Sequence, residues 1–128
     1  MKKTELGARG EALAADYLEK NGYRILDRNY RCRMGEIDLV ARKENTLAFV
    51  EVKLRKNTSY GEAREFVTAS KQHKLIMAAR HYMMTHPWAE EMTLRFDVVE
   101  IYAPQGTEKK TEIRHLIDAF ECGEGITY

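Results

Sequence analysis

Apolar residues along the chain recur first at the spacing of a helix and then at the spacing of strands. Over residues 5–21 they return every three or four positions, as on one face of an α-helix, and Asn21-Gly22 supplies a stop. A second helix is predicted over residues 69–84, ending before Pro87. Residues 54–66 are mostly polar and lack a clean period, which predicts a mobile loop.

Four further segments alternate apolar and polar residues or are apolar throughout, and these predict strands over residues 23–31, 36–42, 47–53 and 94–102. Residues 112–120 suit a helix or a short edge strand equally. The helix before the fourth strand permits a parallel crossover. The order α-β-β-β-α-β-(β or α) therefore predicts an α/β fold, with a mixed sheet flanked by helices in one domain spanning residues 1–128.

Composition narrows the classes of function only in part. The formal net charge is +1, from 21 basic and 20 acidic residues, so no global field attracts polyanions. Between positions 20 and 43, however, seven basic residues face three acidic ones. This strip indicates either phosphate binding or a solvated charged face.

Cysteine, histidine and hydropathy patterns argue against several other classes. Cys32 and Cys122 have no metal-ligand or redox spacing, and we predict free thiols in a reducing compartment. The four histidines lack zinc-ligand spacing and are interpreted as surface or packing residues. No stretch approaches the ~20 apolar residues that span a bilayer. We therefore expect a cytoplasmic protein without a membrane partner.

Pairing of the second and third strands brings acidic residues together. A tight loop at Glu44-Asn45 sets Val40 opposite Phe49, which gives the best apolar match between the two strands. The same register puts Asp38 directly opposite Glu51, where like charges destabilise a sheet.

A hard divalent cation would compensate two such carboxylates, since Mg²⁺ prefers carboxylate oxygens. Lys53 follows on the same face and could orient a water or a phosphate. The alternative interpretation is a same-strand ion pair between Glu51 and Lys53, with solvated acidic neighbours.

The spacing of Gly35-Glu36-Ile37-Asp38 and Glu51-Val52-Lys53 resembles the PD-(D/E)xK motif of restriction endonucleases and Holliday junction resolvases. Ile37 stands where that motif often has proline. Over nearly its full length the chain resembles the YraN family of small bacterial proteins, through residues 7–11, 23–26, 28–29, 95–99, 115–117 and 119–120.

This resemblance implies a restriction endonuclease-like core, bound Mg²⁺ (or Mn²⁺) and phosphodiester hydrolysis. Asp38, Glu51 and the carbonyl of Val52 would be metal ligands. Lys53 would direct the water or the phosphate.

Further residues are assigned to the site with their alternatives kept open. Glu11 resembles the acidic residue on the first helix of resolvase-like nucleases, or else pairs with Arg9 or Arg28. Gln72 resembles a residue that lines related active sites, or else belongs to an exposed helix start. Nucleic acid contacts are expected from Arg31, Arg33, Arg55, Lys56, Lys71 and Lys74.

The leading functional hypothesis is a Mg²⁺-dependent DNA endonuclease, structure-selective or weakly sequence-specific, because no sequence-reading motif is present. Dimerisation would supply paired cuts. The main alternative is a non-catalytic nucleic-acid-binding module on the same fold. A third is a protein-interaction domain. Arg95 and Asp97 share a strand face, and we expect a structural ion pair there.

Overall fold

The computed structural model describes residues 5–55, 68–102 and 111–120 of the chain, with side chains from residue 8 onward. Its elements confirm the predicted α/β, restriction endonuclease-like fold class. In chain order they are α1 (Glu5–Lys20), β1 (Arg24–Cys32), β2 (Gly35–Lys43), β3 (Thr46–Arg55), α2 (Ala69–Thr85), the 3₁₀ helix η1 (Pro87–Glu91), β4 (Thr93–Tyr102) and β5 (Glu112–Phe120).

The five strands form one mixed sheet in the order β1-β2-β3-β4-β5. Neighbours pair antiparallel except β3 and β4, which are parallel, as the crossover through α2 predicts. The ambiguous segment is the edge strand β5. Strand β4 is buried from Phe96 to Ile101, so its backbone groups need a partner on each side, and a strand satisfies them where a helix would not.

Two apolar clusters cover the two faces of β3, which explains why its residues from Leu47 to Val50 are all buried. Phe49 and Val40 pack with Leu75 and Tyr82 of α2 on one face. The other face packs against α1, through residues that include Ala14, Leu18, Leu39, Val50 and Ile101. No described helix has both the length and the apolar character needed to cross a membrane.

Strand β2 departs from regular alternation around Asp38. Ile37 and Val40 contact the same α2-side cluster, although they lie three positions apart, while Leu39 contacts the α1-side cluster. On β1 the residue between the partners of Leu39 and Ile37 is Asn29, whose φ of 53° is left-handed. The alternation of side chains between the two faces is therefore interrupted next to Asp38.

The predicted hairpin register holds only up to this interruption. Lys43 pairs with Thr46 and the ladder runs through Val40 opposite Phe49 to its last pair, Leu39 opposite Val50. The expectation that Asp38 would pair directly with Glu51 in this ladder was therefore wrong. Strand pairing ends before these positions, and a side-chain contact described below takes its place.

A close approach between β2 and α2 requires the glycine at position 35. A Cβ atom there would lie 2.9 Å from the backbone carbonyl oxygen of Lys74. Gly35→Ala should therefore lower the free energy of unfolding by about 1–3 kcal/mol, as overpacking does. Gly10→Ala is the matched control, because its Cβ would meet Leu54 at an ordinary 3.6 Å and alanine is favoured in a helix. Urea unfolding of both variants measures the difference, and equal stabilities would contradict the steric role of Gly35.

Candidate active site

The Asp38 carboxylate occupies the place where the β2–β3 ladder stops. The backbone N–H of Val52 donates a 2.8 Å hydrogen bond to Asp38 Oδ2. The N–H and C=O of one strand residue point to the same side of the strand, so the Val52 carbonyl also faces β2. Asp38 is only 7% exposed. A carboxylate and a peptide carbonyl are thus brought to one gap between two strands, as the proposed ligand set requires.

Glu51 lies beside this gap and carries a charge that its surroundings do not favour. It is buried on β3, and Lys71 of α2 lies against it, with Nζ 3.5 Å from Oε1. Burial, followed by the negative charge of Asp38, raises the pKa of Glu51 to about 7, although Lys71 and Lys53 act in the opposite direction. The carboxylates of Asp38 and Glu51 are therefore close enough to repel each other across the gap.

Lys53 is half-buried two residues after Glu51, on the same face of β3. Its charge acts on the Glu51 carboxyl, so it lies within electrostatic reach of the site. Among the described residues the ion pair with Glu51 comes from Lys71, and the alternative of a same-strand pair with Lys53 is not what the structure shows. Asp38, Glu51 and Lys53 are therefore brought together.

The remaining predicted catalytic residues lie on different layers of the fold. Gln72 is half-buried in the first turn of α2, next to Lys71, and its N–H bonds the carbonyl of Thr68. Glu11 is buried on α1, beside Gly10, whose position faces Leu54 near the end of β3. Glu11 thus lies on the opposite face of the sheet from Lys71. Catalytic roles for Glu11 and Gln72 stay predictions.

Four of the six predicted nucleic-acid-binding residues line one cavity of about 440 Å³ between the β1–β2 turn and the start of α2: Arg31, Arg33, Lys71 and Lys74. Glu36 lines it as well, and its carboxylate lies 3.3 Å from Nε of Arg31, with both side chains about half exposed. Because Lys71 lines the cavity and also contacts Glu51, it links the cavity to the acidic pair.

Arg55 is placed differently from the prediction. It is the last residue of β3 rather than part of a loop, and its guanidinium donates a 2.7 Å hydrogen bond to Glu100 on β4, with both side chains nearly buried. Sequence reasoning missed Glu100, although the parallel register opposes it to Lys53. Lys56 and the rest of the predicted loop lie outside the described residues.

A buried network of hydrogen bonds joins β4 to β5 and to Tyr23, which directly precedes β1. Asp97 accepts from Arg95 at 2.8 Å twice, from His115 at 2.7 Å and from the N–H of Asp118 at 3.0 Å, which confirms the predicted structural ion pair. Burial alone would raise the pKa of Asp97, but these hydrogen bonds outweigh it and hold the pKa below its usual value. Arg95 also donates to the hydroxyl of Tyr23. The network anchors the sheet and lies apart from the acidic pair.

The aromatic ring of Tyr30 joins β1 to α2. Tyr30 hydrogen-bonds His81 and packs edge-on against Tyr82, while Trp88 is about half exposed. Cys32 is a free thiol, and Cys122 lies outside the described residues. Within residues 5–55, 68–102 and 111–120, no cluster of three or more His, Cys, Asp or Glu side chains could hold a metal. The candidate centre consists instead of two carboxylates and a carbonyl.

Comparison with known proteins identifies the family. The family model described as "Uncharacterised protein family UPF0102" matches residues 10–101. The UPF0102 protein of Lachnoclostridium phytofermentans is 43% identical over 122 residues, covering 95% of this chain and 98% of that one. The UPF0102 protein of Syntrophomonas wolfei is 46% identical over 117 residues, covering 91% and 97%. That of Nitrosococcus oceani is 41% identical over 114 residues, covering 89% and 90%. The chain therefore belongs to the UPF0102 family, which is the YraN family that its motifs resemble.

Proposed function

We propose that this protein is a Mg²⁺- or Mn²⁺-dependent endonuclease that hydrolyses phosphodiester bonds of DNA. The observation that carries the proposal is the gap beyond Leu39 and Val50, where the Asp38 carboxylate bonds the Val52 N–H beside a buried Glu51. Two buried carboxylates and a carbonyl are hard oxygen donors of the kind that Mg²⁺ selects. Their mutual repulsion supplies a reason for a cation to bind there.

The donor set fits a divalent cation on this chain's own geometry. Asp38 is held by its bond to the Val52 N–H, which fixes the carboxylate before any ligand arrives. The Val52 carbonyl faces the same gap. A cation bound by Asp38, Glu51 and this carbonyl would neutralise phosphate charge and ease deprotonation of a nearby water.

Hydrolysis needs an attacking water, a stabilised phosphate and a protonated leaving group. The water oxygen forms the new bond to phosphorus, the bond to the leaving sugar oxygen breaks, and the proton that the water loses is balanced by one delivered to that oxygen. Lys53, on the same face as Glu51, would hold the attacking water or stabilise the charge that develops on phosphate oxygens. Lys71 and the basic cavity beside it would hold the flanking backbone.

One observation favours the alternative of a non-catalytic nucleic-acid-binding module. The Lys71 ammonium already lies 3.5 Å from Glu51 and offsets part of the negative charge that a cation would otherwise neutralise. In that case the acidic pair and Lys71 would form a structural contact at the edge of a phosphate-binding surface. Cleavage assays separate the two functions directly.

The test is a panel of labelled branched, nicked, single-stranded and duplex DNA and RNA, incubated with Mg²⁺, Mn²⁺ or chelator. We expect cleavage of DNA only with metal, favouring junctions, ends or unpaired regions over uniform duplex. Metal should also raise the melting temperature, because a ligand of the native state stabilises it. Sedimentation of the same samples shows whether the protein forms the homodimer that paired cuts would require. Absence of both cleavage and metal-dependent stabilisation would leave the binding module as the better function.

A further inference from the structure

The cavity between the β1–β2 turn and α2, which we call the turn–helix groove, has two chemically different parts. Its basic side chains are Arg31, Arg33, Lys71 and Lys74, while Cys32, Met34 and Leu75 contribute apolar surface; Gly35 and Glu36 complete the lining. Four cations against one carboxylate leave an excess of three positive charges in a space of about 440 Å³. Such a groove favours an anion that also carries an apolar part.

The start of α2 adds to this positive potential. Lys71 and Lys74 lie in its first two turns, and the first turn holds no acidic residue. Thr68 caps the helix by accepting the N–H of Lys71 at 3.1 Å. Lysines at this end oppose the helix dipole and are unfavourable for the helix itself. Lys71 is accounted for in part by its contact with Glu51, whereas the position of Lys74 is better explained by an anionic ligand than by helix stability.

The floor of the groove is built by a close contact between backbones. Because Gly35 has no side chain, the start of β2 lies against the carbonyl of Lys74, and a Cβ there would be only 2.9 Å from that oxygen. This contact keeps the β1–β2 turn next to α2. Met34, at the tip of the turn, remains 39% exposed beside the cavity, and Leu75 is buried below it. The exposed thioether of Met34, supported by Leu75 beneath it, offers an apolar contact to a ring.

We infer that the turn–helix groove binds one unpaired nucleotide next to the bond cut at Asp38 and Glu51, so the substrate of this site carries a single-stranded segment. The inference rests on the proposed function. Lys71 connects the two places, since it lines the groove and lies 3.5 Å from Glu51. A strand that leaves the acidic pair therefore meets Lys71 first and the other cations next.

The dimensions of the groove select a nucleotide over a duplex. Pockets for ligands of a few hundred daltons have volumes of about 300–1,000 Å³, and a single nucleotide belongs to that class. In a duplex the bases are stacked and paired, so their faces cannot lie against Met34 and Cys32. An unpaired base can lie on this surface while its phosphate meets Arg33 and Lys74.

The test measures binding without cleavage. Fluorescence anisotropy in chelator compares a labelled oligothymidylate with a blunt duplex of equal length. Arg33→Ala combined with Lys74→Ala should weaken single-strand binding by about tenfold or more, and Met34→Ala by about threefold, with a smaller effect on duplex binding. Arg24→Ala is the matched control. Arg24 is an exposed arginine on β1, and at the standard rise per residue of a strand it lies about 23 Å from Arg31, the groove arginine on that strand. It should change either affinity by less than about twofold.

The results separate this inference from the proposed function. If the double variant binds oligothymidylate as Arg24→Ala does, or loses duplex and single-strand binding equally, the groove inference is overturned whatever the cleavage assay shows. If the double variant loses single-strand binding selectively while no substrate is cut with metal, the groove stands and the nuclease function falls. Circular dichroism melting of each variant, with Gly35→Ala as a variant that disturbs the groove floor, checks that affinity changes do not follow from unfolding.

Discussion

Lys53→Ala is expected to reduce metal-dependent cleavage by about 10²–10³-fold, the usual effect of removing one group that stabilises charge in a transition state. Lys53 is half-buried on the same face of β3 as Glu51, and its charge acts on that carboxyl. Affinity for the same DNA should change by less than about threefold, because a single phosphate contact contributes little to a groove that holds four other cations.

The comparison of rate with affinity is what distinguishes an enzyme from a binding module. Single-turnover cleavage with Mg²⁺ and anisotropy in chelator give the two quantities for each variant. Lys20→Ala is a suitable control, since Lys20 is largely exposed at the end of α1, where it pairs with Asp16. Unchanged cleavage in Lys53→Ala would remove Lys53 from the mechanism. Parallel loss of cleavage and binding would favour a role in holding DNA.

Much of the fold follows from the periodicity of the chain. The hairpin register was predictable because only one alignment opposes Val40 to Phe49 and Leu39 to Val50, and the structure has both pairs. The parallel contact of β3 with β4 followed from the intervening helix. Whether residues 112–120 form a helix or a strand could not be predicted, because their apolar residues fit the spacing of either element. Only the need of the buried strand β4 for a second partner decides in favour of β5.

The proximity of Asp38 and Glu51 was predictable from the sequence, but the geometry between them was not. The alignment brought Asp38 and Glu51 together correctly, yet it assumed that strand pairing continues past Leu39. A side chain that accepts a backbone N–H ends a ladder without leaving a mark in the apolar pattern, and Asp38 does this to Val52.

Contacts made between distant elements were harder to foresee. The approach of Lys71 to Glu51 depends on where α2 crosses the sheet. The burial of Arg55 against Glu100 depends on how far β3 extends and on its parallel register with β4. The crossing of α2 and the length of β3 are not encoded in a local sequence pattern. Arg55 was therefore predicted to be part of a loop.

Glu51→Gln is expected to stabilise the metal-free protein at about pH 8, despite being placed at the proposed catalytic centre. Burial and the charge of Asp38 raise the pKa of Glu51 from 4.5 to about 7 in the folded state. Well below pH 4.5 the carboxyl of Glu51 is protonated in both the folded and the unfolded protein, so it does not lower the free energy of unfolding. As the pH rises to about 7, the unfolded chain loses this proton before the folded protein does, so stability falls across that window and stays lower above it.

The size of this effect follows from the same rise in pKa. Converted to free energy, it amounts to about 3 kcal/mol above pH 7, and glutamine removes it because it carries no charge. Urea unfolding in chelator should therefore show wild type and Glu51→Gln nearly equal at about pH 4 and the variant more stable by about 1–3 kcal/mol at about pH 8. Glu36→Gln is the control, since Glu36 is about 42% exposed, and it should change stability by less than about 0.5 kcal/mol.

Addition of Mg²⁺ should reverse the order of the two proteins. Metal must bind the ionised carboxylates, so wild type gains about 2.7 kcal/mol when the metal is at a hundred times its dissociation constant, and Glu51→Gln gains much less. The gain of wild type should also grow as the pH rises through about 7, because ionisation of Glu51 no longer has to be driven by the metal. A metal effect of equal size in both proteins would place the cation elsewhere. A variant that is less stable than wild type in chelator at high pH would show that the Lys71 contact outweighs the repulsion between Asp38 and Glu51.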